Sequence, residues 1–342
     1  MKIGFLRGRF LTAALALVLA SGQYVAAATE LMPVNIGYYP GQIYTTIIWV
    51  SQVKGFYKEA GLDPTLISTA NGPLMNSELA SGAIDLGINA PSQLGVAREQ
   101  GLDVVFAAGN ARIPWVLVAR SDVKLPHKGK YPDVIGDLTG LSWGVYGRGS
   151  DGELFMRMMA ADAKLDPDKD IAWIGVGGPA TGLPALQTNR IGAYLTLEPA
   201  PIIAKSDGYG QIVIDLRKGE GPGDLAGIVY QGIEARRKTI AERPEIFRRT
   251  IKAHEQAYCW IKNPANFDEL IFILKTRIPA GNLNDEQFRA MVQQNLSDFT
   301  LTFPRAQIET WSRLLVSHKA LKSPINPDEI LWREMPQQDP KC

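Results

Sequence analysis

Arg148, Gly149, Ser150 and Asp151 stand between an apolar run at 141–146 and a helix-like run at 151–163. The first N–H groups of a helix have no partner inside it, and the helix dipole favours negative charge there. A guanidinium and a hydroxyl beside such a start suit a carboxylate or sulfonate. Asp151 also suits a helix cap. Gly178 and Thr181, following Gly177, repeat the design further along. Tyr38, Tyr39, Gln42 and Tyr44 flank an earlier strand end, where Pro40 and Gly41 punctuate a turn. An aromatic floor with one amide fits a planar or partly apolar ligand. Asn71, Asn89 and Ser92 mark the next two strand ends, where they either meet a ligand or cap helices. Glu198 ends a strand-like run at 191–197 and suits an amine or amide, or an ion pair between lobes. Trp115 and Trp143 wall the same region or pack beneath it.

Catalytic patterns find little support. The three histidines, His127, His254 and His318, fall in a connector and in helical, surface-like runs far apart in sequence. No G-x-S-x-G, H-E-x-x-H or clustered metal-ligand pattern occurs. Gly147 and Gly149 lack the rest of a phosphate-binding fingerprint. The residues therefore predict no catalytic group, no metal and no cofactor. Of the two cysteines, Cys259 lies in an apolar helical run and reads as a small core residue, with pairing to Cys342 left open.

The elements that must position these residues alternate. Strand-like runs at 34–38, 64–69, 82–88 and 101–108 are separated by helix-like segments, and a further β-like run follows at 115–119. A polar connector at 121–137 precedes a second α/β series with strands at 141–146, 171–176, 191–197 and 211–215. After a glycine- and proline-rich connector at 217–224, a returning strand at 225–233 leads into helices, the longest expected over 239–262. The tail at 336–340 reads as frayed. This pattern predicts two lobes, residues 29–119 with 225–342 and residues 120–224. Strand ends from both would face one cleft.

The chain has 342 residues, 46% of them hydrophobic and 21% charged, enough for two globular lobes with a proper core. A net charge of +1 carries no footprint for nucleic acid. Lys2, Arg7 and Arg9 precede a short apolar run at 10–20 and then Ala26, Ala27 and Ala28, the pattern of a cleaved export signal over 1–28. Its apolar run is too short to span a bilayer, which takes about 20 residues. The expectation is a periplasmic monomer, with no direct membrane insertion after cleavage.

Four stretches carry a family resemblance. They are the strand at Ile36 with the helix reaching the segment GFYKEAGLD at 55–63, the segment LASGAIDLG at 79–87, the segment LTGLSWGV at 138–145, and Glu198–Pro199 after a strand. Together they resemble periplasmic binding proteins of the nitrate, sulfonate, taurine and thiamine-pyrimidine-precursor type. The stretch Asn71-Gly72-Pro73-Leu74 departs from the simpler small-residue stretch of many relatives. The resemblance implies a type II periplasmic-binding fold, α/β, with each lobe a mixed sheet flanked by helices and a ligand cleft between them. It also implies an ABC permease with a cytoplasmic ATPase as partner, and a small-molecule ligand. The residues favour an organic anion, sulfonate- or carboxylate-like and compatible with an aromatic group. An enzyme acting on a pyrimidine-like ring and a periplasmic sensor input are the alternatives.

Overall fold

Among the described residues, the alternating runs form ten strands in two five-stranded sheets. The computed structural model describes residue 1 and residues 30–342, and the expected export signal over 2–28 lies outside the described residues. The strands are β1 (Met32–Tyr38), β2 (Leu62–Ser68), β3 (Leu86–Asn89), β4 (Val104–Arg112), β5 (Val116–Arg120), β6 (Ser142–Val145), β7 (Ala172–Gly175), β8 (Ala193–Thr196), β9 (Gly210–Asp215) and β10 (Val229–Arg236). The first sheet has the order β2-β1-β3-β10-β4 and the second β7-β6-β8-β5-β9. Both are mixed. β1 runs parallel to β2 and β3, and β6 to β7 and β8. β10 is antiparallel to β3 and β4, and β5 to β8 and β9.

The chain passes from β4 to β5 through residues 113–115 and returns from β9 to β10 through 216–228. The expected division after residue 119 therefore shifts on sheet membership. β5 pairs Val116 with Thr196 and Asp215, so it completes the second sheet. A bare apolar run cannot show which sheet it will join.

The apolar core runs through both sheets and includes Ile36, Leu86, Val145, Phe155, Tyr230 and Trp311. A second cluster around Ile47, Trp49, Leu270 and Phe288 packs the late helices against the helix Thr46–Val53. Gly109 in β4 lies under the residue 301–302 backbone, and a Cβ there would stand 2.2 Å from the Thr302 carbonyl oxygen. Gly109→Ala is expected to cost about 1–3 kcal/mol by overpacking, read as a lower urea midpoint with an unchanged slope.

Four local expectations are corrected. The helix expected over 239–262 is two, Arg237–Glu242 and Pro244–Lys262, because Pro244 has no N–H to continue a ladder and fits a helix start. The tail expected to fray is tied down. Asp339 Oδ1 accepts hydrogen bonds from Leu301 N at 2.6 Å and Thr300 Oγ1 at 3.0 Å, and Cys342 forms a disulfide with Cys259. Cys259 is thus a cross-link and not a free core thiol. His254, expected on a surface, is buried on the long helix, where the Tyr57 hydroxyl lies 2.8 Å from its Nε2. Burial pushes its pKa down to about 3, so the ring is neutral.

Candidate ligand-binding site

The carboxyl ends of parallel strands from both sheets meet at one cavity. Tyr39 follows β1, Ala70, Asn71 and Gly72 follow β2, Tyr146 follows β6, and Leu197 follows β8. Gln42, Trp115, Ser150, Asp151, Tyr230 and Gln231 complete the lining. In this arrangement the cavity is small, about 30 Å³, room for a water or two. Trp115 comes from the first crossing between the sheets. Its ring meets Tyr146 edge-on at 5.4 Å and Tyr230 at 5.9 Å between centroids. Such T-shaped pairs hold aromatic walls at a defined angle.

Asp151 is the polar centre. It opens the helix Asp151–Asp162, on the side of the second sheet. Each of its hydrogen-bond donors comes from elements of the first. Ser92 Oγ donates to Oδ1, Gln93 Nε2 donates to Oδ1 at 3.0 Å, and the Tyr230 hydroxyl donates to Oδ2 at 2.7 Å. Gln93 Nε2 also lies 3.2 Å from the Gly149 carbonyl oxygen. Burial pushes the Asp151 carboxyl above its ordinary range, and the three donors offset part of that rise.

Of the sequence candidates, Tyr39, Gln42, Asn71, Trp115, Ser150 and Asp151 come together at the cavity. Asn71 also caps the helix Gly72–Ser81, accepting from Leu74 N at 3.0 Å, so its bland and its functional readings coexist. The rest lie elsewhere. Tyr38 packs edge-on against Trp49. The Tyr44 hydroxyl donates to Asn295 and Asp298 on the late helices. Asn89 is buried under the floor, donating to Asn76 Oδ1 and to Glu234 Oε2. Ser92 reaches the site only through Asp151. Gly178 caps the helix Pro179–Gln187, and Thr181 Oγ1 donates to the Val176 carbonyl. Trp143 is packing, its N–H donating to Leu138 O.

The Arg148 anion clamp is corrected by the geometry. Its side chain is 57% exposed, pairs with Glu153 at 3.1 Å, and lies over the Trp173 ring. Glu153 draws it away: buried at the next helical turn, it takes Gly149 N, Arg157 Nε and Arg148 together. Glu198 also serves structure. It is buried and accepts from Arg217 Nη1 at 3.0 Å, which makes it an ion pair rather than a wall of the cavity.

Tyr146, Leu197, Tyr230 and Gln231 were not singled out from the sequence. Tyr146 and Leu197 sit at strand ends, a signal that was available. Tyr230 and Gln231 were hidden because β10 runs antiparallel between β3 and β4. That direction brings its amino end beside the carboxyl end of β3, with Gly232 opposite Asn89. Among the described residues, no group of three or more His, Cys, Asp or Glu side chains could hold a metal ion. No described helix is long and apolar enough to cross a membrane.

The family model described as NMT1-like matches residues 27–275. No curated protein matches the sequence. Solved structures with a similar fold include a protein of Bordetella bronchiseptica RB50, at 22% identity and TM-score 0.75, covering 89% of this chain and 96% of that one. The alkanesulfonate-binding protein SsuA of Xanthomonas axonopodis pv. citri, bound to MOPS, is 17% identical with TM-score 0.70, covering 89% and 99%. The nitrate-binding protein NrtA of Synechocystis PCC 6803 is 18% identical with TM-score 0.61, covering 76% and 71%. With the family model spanning most of the sequence and two mixed sheets closing on one cavity, the chain belongs to the NMT1-like family and has the fold of the periplasmic binding proteins.

Proposed function

We propose that this protein is the periplasmic solute-binding component of an ABC-type importer, capturing one small solute between its two sheets and delivering it to a membrane permease. The observation that supports this most is the convergence of both sheets on one cavity: Tyr39 and Asn71 from one side, Tyr146, Ser150 and Asp151 from the other. A site so divided is completed only when the two sides close, which couples capture to a shape that a permease can read. The crossings at 113–115 and 216–228 are the segments about which the sides would part. The relatives of known structure support the same reading, since the Xanthomonas protein binds an alkanesulfonate and a Staphylococcus aureus protein of similar fold is the ligand-binding component of an ABC-type import system.

The finer expectation, an organic anion clamped by Arg148, loses its clamp. No Lys or Arg lines the cavity among the described residues. Arg148→Ala is accordingly expected to change solute affinity by less than about twofold, since exposed ion pairs contribute little. Calorimetry with the purified solute checks this; a loss of tenfold or more would restore Arg148 to the site.

The reading is tested by native mass spectrometry of protein taken from cells. One small molecule per chain is expected, unchanged after prolonged incubation, and raising the melting temperature when added back through mass action. A chain that carries nothing and responds to no solute, or that converts the molecule it carries, would refute it.

A further inference from the structure

Three buried polar atoms around the cavity have no partner within the protein: Trp115 Nε1, Ser150 Oγ and Gln231 Oε1. Each belongs to a side chain less than 10% exposed. A buried polar group left unpaired costs about 1–3 kcal/mol. Three of them around one small space are hydrogen-bonding positions open to a guest or to water.

Their character can be read atom by atom. Gln231 presents an acceptor. The Tyr230 hydroxyl spends its proton on Asp151, so only its lone pairs remain for the cavity. The Tyr39 hydroxyl faces Asn89 Oδ1 at 3.5 Å and is likewise left as an acceptor. Asp151 has three donors for two carboxylate oxygens, which leaves lone-pair capacity on Oδ2. Trp115 supplies an N–H donor beside the Tyr230 hydroxyl, and Ser150 a hydroxyl that can donate or accept. Asp151 carries the one carboxyl among the residues that line the cavity, and no Lys or Arg lines it among the described residues. Four aromatic side chains, Tyr39, Trp115, Tyr146 and Tyr230, line the same space. Aromatic faces attract cations.

We infer that the solute presents N–H donors on a basic nitrogen, of the amine or amidine class, with Asp151 and Gln231 accepting those donors and the Trp115 N–H meeting an acceptor elsewhere on the molecule. This rests on the solute-binding reading above and deepens it by assigning the sign of the charge.

The solute released from protein purified from cells is identified by its exact mass and its ionisation behaviour, and its affinity is measured for the unaltered protein, Asp151→Asn and Trp115→Phe. A basic nitrogen in the released molecule, with Asp151→Asn weakening binding about tenfold or more, is the expected result. Trp115→Phe removes the N–H together with one ring of the indole, while an aromatic ring stays in place. It is expected to weaken binding about fivefold and, through the space left by the lost ring, to lower the melting temperature of the empty protein as well. That variant keeps the test decisive if Asp151→Asn does not fold. A released solute without a basic nitrogen, or equal or tighter binding by Asp151→Asn, overturns the donor assignment and leaves the solute-binding reading standing. Unchanged binding by Trp115→Phe overturns the Trp115 contact. Absence of any solute, with no thermal shift from benzylamine, benzamidine, ethanesulfonate or benzoate, overturns the underlying reading instead.

Discussion

Arg217→Ala is expected to destabilise the protein by about 3–5 kcal/mol, because it strands two buried carboxylates. Arg217 Nε donates to Asp215 Oδ1 and Nη2 to Asp215 Oδ2, both at 2.8 Å, while Nη1 donates to Glu198 Oε1 at 3.0 Å. Asp215 is 1% exposed and Glu198 4%. Burial raises both carboxyls. The guanidinium outweighs burial at Asp215, which ends below its ordinary value, but not at Glu198, which stays above. Lys218, 3.4 Å from Asp215, cannot replace a two-pronged contact. Arg217→Lys should accordingly recover less than half of the loss. Adding Glu198→Gln to Arg217→Ala should restore part of the stability, since it removes one of the two unpaired charges and leaves Asp215. Urea melts of the set at pH 7 give the comparison, and an Arg217→Ala protein within 1 kcal/mol of the unaltered one would show that the cluster is merely solvated. Arg217 lies on the returning crossing and also reaches Asn295 at 3.4 Å, so the same variant should loosen the chain where the two sides would hinge.

The second large effect concerns Glu234, which is fully buried on β10 with Oε2 accepting from Asn89 Nδ2 at 2.7 Å and Oε1 unpartnered. Burial pushes its carboxyl from 4.5 up to about 8, against the Asn89 hydrogen bond that favours the anion. The sign follows from proton counts. Below about pH 4.5 both folded and unfolded chains hold the proton, and the contribution is fully present. As pH rises from about 4.5 through about 8, the unfolded chain releases the proton while the folded chain keeps it. Stability is therefore lost at about 1.4 kcal/mol per pH unit over that window. Glu234→Gln has no proton to release. The unaltered protein is expected to lose a few kcal/mol more than Glu234→Gln between pH 5 and pH 8, measured by urea melts at both pH values. Parallel pH profiles for the two proteins would mean that Glu234 ionises in place. The Glu234–Asn89 bond also orients the amide that faces Tyr39, so the variant reports on the cavity floor as well.

Much of the architecture was legible in residue order. Alternating apolar runs broken by glycine and proline marked most of the strands, because strand and helix periodicities are local properties of a chain. The turn after β1 and the turn before Asp151 were recognisable for the same reason, and they do meet. Where local signal ended, so did accuracy. Arg148 looked free because Glu153, five residues on, gave no sign that it would be buried and would claim the guanidinium. Cys259 looked apolar because its partner lies 83 residues away. β5 looked like part of the first half because only strand pairing assigns it to the second sheet.

What the amino-acid order determined alone was the kind of fold and which turns could form the ends of strands, since these follow from propensity and pattern within a few residues. What only the tertiary structure decided was the chemistry of the cavity. The charge at a site is a sum over groups brought together from distant positions, and burial changes the worth of each. Here folding withdrew Arg148 and Glu198 into ion pairs, brought in Tyr230 and Gln231 on an antiparallel strand, and left Asp151 as the one carboxyl side chain at the cavity wall among the described residues.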